Sequence, residues 1–192
     1  SSGSIQAENN WSRTGGSFSA GTSEVTFDGS STGRTITSGG QSFHDLTIDG
    51  SGGGWTATDT LTVANTLAVA NGTLNSASDF HRVDITGGAL VLTNDATVSG
   101  DWTKSGGTFT SGTNRVTFDG EGDVTLTPGG TDTGSDFHDL AVNLAGGSAG
   151  LSAGLVGHWS FDEPTAGSTV VDSSANSNDG TPTGSPQPST DV

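Results

Sequence analysis

An all-β fold, wound as a β-solenoid of short Thr- and Gly-rich strands, is predicted for this chain by three observations. Apolar residues alternate with threonines at period two. Whole phrases recur along the chain. Gly, Asn and Asp punctuate at short intervals, and no amphipathic helical period appears before Gly154. The rival architecture is a Greek-key β-sandwich, which also has short strands and frequent turns. The solenoid is favoured because large apolar residues are few and the phrases repeat. Only 29% of the chain is hydrophobic, and Gly, Ser and Thr make up nearly half of it.

The first strand signal is EVTFDG from Glu24. Val25 and Phe27 share one side, Thr26 takes the other, and Asp-Gly closes the corner. RTITSG from Arg34 and HDLTIDG from His44 follow the same rule. TLTVANTLAVANGTLNSA from Thr60 and RVDITGGALVLTNDATVSG from Arg82 carry the alternation through several corners. RVTFDG from Arg115, DVTLTPGG from Asp123 and HDLAVNL from His138 end the series. Threonine suits these strands because its β-branch packs on a pleated surface. Glycine is expected at corners that need positive φ.

Two repeats stand above this background. WSRTGGSFSAGTSEVTFDG starts at Trp11 and WTKSGGTFTSGTNRVTFDG at Trp102, a shift of 91 positions (102 − 11) without a gap. SFHDLTI from Ser42, DFHRVDI from Asp79 and DFHDLAV from Asp136 form a second set. In a solenoid no coil buries its apolar side alone, and each stacks on the next. Repetition is therefore first a packing statement.

Charge narrows the choice of partners. Acidic residues number 21 and basic residues 5, a net charge of −16. Binding to phosphate backbones or anionic lipid needs a basic footprint, so neither nucleic acid nor membrane is an expected partner. No apolar run approaches the ~18–20 residues of a helical membrane span. Cysteine is absent, which removes disulfides and thiolate metal sites. The opening SSGSIQAENN shows neither an initiating Met nor the basic-then-apolar order of a signal peptide. It reads as a processed piece of a longer chain.

The phrases Gly-Gly-Thr-Phe-Thr, Val-Thr-Phe-Asp-Gly and Phe-His-Asp-Leu-Thr-Ile resemble repeats of large bacterial surface and secreted proteins with right-handed β-helices. The resemblance covers about residues 11–151 and implies extracellular scaffolding or adhesion. GLVGHWSFDEPTAGSTVVDSSANSNDGT, from Gly154, resembles the start of a laminin-G-like, concanavalin-type jelly-roll domain, of which the remainder is missing. The expected organisation is a repeat-built β domain over 1–153 and an extended strand with a Gly/Ser/Pro-rich tail over 154–192.

The candidate sites follow. His44, His81 and His138 each follow Phe and are read as solvent-facing steps beside inward rings. Asp28, Asp45, Asp119 and Asp139 are read as corner residues, and no enzyme activity is expected. Asp172, Asn176, Asn178 and Asp179 offer closely spaced oxygens suited to calcium. Lys104, the one lysine, is read as solvated. Asn10-Trp-Ser and Asn71-Gly-Thr match the glycosylation sequon. Trp11, Trp55, Trp102 and Trp159 could stack on sugars, but their place in the repeat favours packing. Leu155, Val156, Trp159 and Phe161 are the expected subunit interface. The chain is thus expected to be a structural subunit of an extracellular or cell-surface filament. It would polymerise with copies of itself by β-strand addition of its C-terminal segment, with the tail from Asn178 lying extended on a neighbour. A glycan-binding adhesin fragment is the alternative.

Overall fold

A computed structural model describes residues 3–76, 78–130, 136–143, 169, 171 and 179–181. The chain divides into two compact units, Ser1–Gly146 and Gly147–Val192. The first is a β-solenoid of about 7 turns, with no helix among the described residues and every strand pairing parallel. Parallel pairing throughout rules out the Greek-key alternative, which is built from antiparallel strands.

In chain order the strands are β1 (Ser4–Ala7), β2 (Trp11–Ser12), β3 (Glu24–Phe27), β4 (Arg34–Thr37), β5 (Phe43–Ala57), β6 (Leu61–Ser76) and β7 (Ser78–Ile85). They continue as β8 (Ala89–Leu92), β9 (Ala96–Val98), β10 (Trp102–Lys104), β11 (Thr108–Thr110), β12 (Arg115–Phe118), β13 (Leu126–Thr127) and β14 (Asp139–Val142). β5 and β6 bend through corners, where their pairing register shifts.

The pairings fall into three ladders, one per face. On face 1, Ile5 sits beside Val25, then Leu46, Leu67, Val83, Trp102 and Leu126. The chain returns to this column after 20, 21, 21, 16, 19 and 24 residues. Face 2 stacks Trp55, Leu74, Leu90 and Phe109. Face 3 stacks Phe43, Val63, Phe80, Val98, Phe118 and Val142. Turns lie about 4.8 Å apart, the spacing of hydrogen-bonded strands. The columns meet inside the coil as one continuous core, fully buried from Val25 to Phe118. Alternation is the cause: inward residues take every second position, and most of their outward neighbours are Thr, Asn, Asp or Ala.

Positive φ holds as expected at Gly39 and Gly72, but the glycines of the Asp-Gly corners are needed for another reason. Gly29, Gly50 and Gly120 follow Asp, yet none has positive φ. A Cβ on Gly29 would collide with the Glu8 carbonyl, one on Gly50 with the Gly29 carbonyl, and one on Gly120 with the Ser99 carbonyl. Each clash comes from the turn before. The Asp-Gly corner is a close approach between turns, not a left-handed bend.

Candidate functional site

The carboxylates at the corners have a structural task. At a corner the ladder breaks and backbone N–H groups lose their partners. Carboxylates of neighbouring turns supply them. Asp45 Oδ1 accepts from Thr66 N at 3.2 Å and from Asn65 Nδ2 at 2.7 Å. Asp95 Oδ1 accepts from Arg115 N, and Asp101 Oδ1 from Thr125 N, both at 2.8 Å. Asp59 accepts from Ser38 N at 2.9 Å, Ser38 Oγ at 3.1 Å and Gly39 N at 2.6 Å. Burial works to raise the Asp59 pKa, but these donors together with Gly40 N outweigh it and hold the carboxyl below its usual range. Asp59, Asp95 and Asp101 were not singled out from sequence, because their partners stand about a turn away.

The histidines do not converge. His44 Nδ1 lies 2.9 Å from Asp45 Oδ2, His81 Nδ1 lies 3.0 Å from Ser99 Oγ, and the His138 backbone donates to Ser111 Oγ at 3.1 Å. His44 and His81 follow face-3 phenylalanines two turns apart. Among the described residues no three His, Asp or Glu side chains gather as a metal site would require. Asp139 instead takes an ion pair from Arg115, with Nη2 at 2.7 Å and Nε at 2.8 Å.

One basic residue overturns an expectation. Lys104 is not solvated: it is 4% exposed, directly beyond Ile85 on face 1. Its stem continues the apolar column and Gly129 closes over it. The alternation Trp102-in, Thr103-out, Lys104-in was the signal that could have placed it. Arg13, its repeat counterpart, also turns inward and donates to the carbonyls of Gly39 (2.8 Å) and Gly16. Trp55 and Trp102 are fully buried, which removes them as sugar platforms, whereas Trp11 is half-buried.

The expected calcium ligands Asp172, Asn176 and Asn178, and the expected interface residues Leu155, Val156, Trp159 and Phe161, lie outside the described residues. Asp179 is described and exposed.

What the solenoid presents most plainly is its ends. β1 and β2 pair only toward the second turn, and β13 and β14 only toward the turn before them, among the described residues. Among the described residues of this unit, the large apolar side chains that are exposed all stand on those strands: Ile5 at 40%, Leu126 at 38%, Leu140 at 43% and Val142 at 66%. Beside β2 is an open cleft of about 340 Å³ lined by Asn10, Trp11, Ser12, Arg13, Gly15, Ser17 and Phe18. Face 2 is distinct in another way. Its outward side chains, including Thr35, Thr37, Thr56, Thr58, Asn75, Val91 and Thr110, are uncharged on a chain of net charge −16.

Comparison of the chain with protein-family models, with curated proteins and with solved structures found no match.

Proposed function

We propose that the chain is a non-enzymatic structural subunit of an extracellular filament or surface assembly, polymerising with copies of itself. The observation that carries this reading is that, among the described residues of the solenoid unit, the exposed large apolar side chains stand on its terminal strands. Such edges offer unpaired N–H and C=O groups and template another strand. The added strand is the segment Leu155–Phe161 of a neighbouring copy, whose Leu155, Val156, Trp159 and Phe161 supply apolar contact. The resemblance to bacterial surface repeats and to a jelly-roll start supports the extracellular setting, and the Asp172–Asp179 loop is where calcium would bind. Sedimentation of the full chain against one ending at residue 153 tests the reading. Large assemblies should form only with the C-terminal segment. Equal assembly by the truncated chain would rule strand addition out.

The uncharged threonine face supports a second reading, a glycan-binding adhesin fragment. A flat surface of hydroxyls and methyls suits a neutral polysaccharide better than an acidic one. A glycan array with the full chain and Thr56→Lys decides: binding lost in the variant supports it, and no binding by either removes it.

A further inference from the structure

Threonine stands on all three faces of the solenoid, but its company differs. On face 1, Thr26 shares its strand with Glu24 and Thr47 with Asp45. On face 3, Thr97 follows Asp95 by two residues and Thr117 follows Arg115. On face 2, threonine is paired with threonine. Thr35 and Thr37 flank Ile36, Thr56 and Thr58 flank Ala57, and Thr108 and Thr110 flank Phe109. Strand propensity accounts for threonine anywhere on the sheet, but not for this sorting of charge.

The two charged residues at the margins of the Thr35–Thr58 block are turned away from it. The Arg34 guanidinium lies over the Trp55 ring, 5.4 Å from its centre. Asp59, beyond Thr58, is taken up by Ser38 and Gly39 of the preceding turn. Among the described residues the outward side chains of β4, β5, β6, β8 and β11 on this face are hydroxyl, amide or apolar groups.

Those five strands keep one register across the face. Thr35, Thr56, Asn75, Val91 and Thr110 form one column, and Thr73, Ala89 and Thr108 form its neighbour. The array therefore repeats at about 4.8 Å from strand to strand and about 6.6 Å along each strand. Trp55, Leu74, Leu90 and Phe109 are buried beneath it and fix it from below. Both repeats lie near the spacings of water oxygens on the prism face of hexagonal ice.

We propose that face 2 is an ice-binding surface, with its threonine hydroxyls joining the lattice's hydrogen-bonded rows and its methyls lying between them. Charge selects the same partner. The chain carries −16, and the complement of its one uncharged face is a surface without charge. A neutral sugar chain is also uncharged, but sugar sites gain from rings and from polar groups converging in a concavity. The rings of face 2, Trp55 and Phe109, point inward. A lattice asks only for repetition in two directions. The Thr37 and Thr58 hydroxyls bond each other at 2.6 Å, and exchanging that bond for bonds to lattice water costs little. The proposal is independent of the strand-addition reading and competes with the glycan reading for one face.

The test is partition of the full chain into ice grown slowly from dilute solution, measured beside thermal melting. The wild type should be enriched in the ice. Thr56→Lys places a charge in the middle of the array and should lower that enrichment about tenfold at an unchanged melting temperature. Thr47→Lys, on face 1, should leave it unchanged. Should Thr56→Lys fold poorly, Thr110→Lys on the exposed last strand of the face gives the same readout. A wild type that stays in the liquid would overturn the proposal, as would folded face-2 variants that enter ice like the wild type. Glycan-array binding lost in Thr56→Lys, with no partition into ice, would also overturn it and leave the glycan reading standing.

Discussion

The two copies of the Trp-to-Gly phrase differ at few chemically important positions, yet they occupy different faces of the coil. In the first, Trp11 stands on face 2 and Val25–Phe27 on face 1. In the second, Trp102 stands on face 1, Phe109 on face 2 and Val116–Phe118 on face 3. The 91-residue shift is thus four turns and two faces, not a whole number of turns. Each copy crosses two corners and builds the same aromatic cluster. The three faces are interchangeable hosts, because each offers only parallel strands with alternating side chains. What differs is what lies above and below. Trp102 is buried and Trp11 half-buried; Leu46 is buried and Leu140 is 43% exposed. Position in the stack, rather than the residue, sets burial.

The largest expected effect separates the tryptophans. Trp102→Ala removes a buried ring with turns on both sides and should cost about 3–5 kcal/mol. Trp11→Ala, with no turn above it among the described residues, should cost about 1–2 kcal/mol. Denaturant unfolding with hydrogen exchange by turn would measure both, since stacked repeats can open piecewise. Equal losses would break the argument that stacking decides burial.

The glycine pair sharpens it. Gly106→Ala forces a methyl against the Thr86 carbonyl and should cost about 1–3 kcal/mol. Gly15→Ala, the same phrase position, should change stability by less than about 0.5 kcal/mol. A matching loss at Gly15 would mean that its own corner, not a covering turn, demands glycine.

The smallest effect is a pH dependence. The folded Asp59 pKa is lowered, so its contribution to stability is complete above the ordinary value of about 4. It fades as pH falls through the lowered folded value. Asp59→Asn should show a shallower loss of stability below about pH 4 than the parent. Identical acid profiles would contradict the role of Asp59 as the staple of the Ser38–Gly39 corner.

The architecture was legible because alternation and repetition are both local signals. Val25, Phe27, Val116 and Phe118 are inward as their period-two spacing requires. What was not legible is set between turns. Asp59 holds N–H groups some twenty residues away, with nothing in between to announce it. Gly29 and Gly120 looked like left-handed bends, whereas carbonyls of the preceding turn exclude their side chains. The slip of one face between the copies is hidden because turn lengths vary from 16 to 24 residues. Lys104 was misread because its type was weighed above its position in the alternation.

Fibre diffraction or high-resolution electron microscopy of the assembled full chain tests the central claim, that the ends of this solenoid are joined to other copies. In the proposed assembly an added strand would continue the strand ladder from one subunit into the next. The account predicts unbranched filaments one solenoid wide, with a repeat of about 4.8 Å along the filament axis. Monodisperse monomers, or filaments in which that repeat runs across the axis, would contradict it.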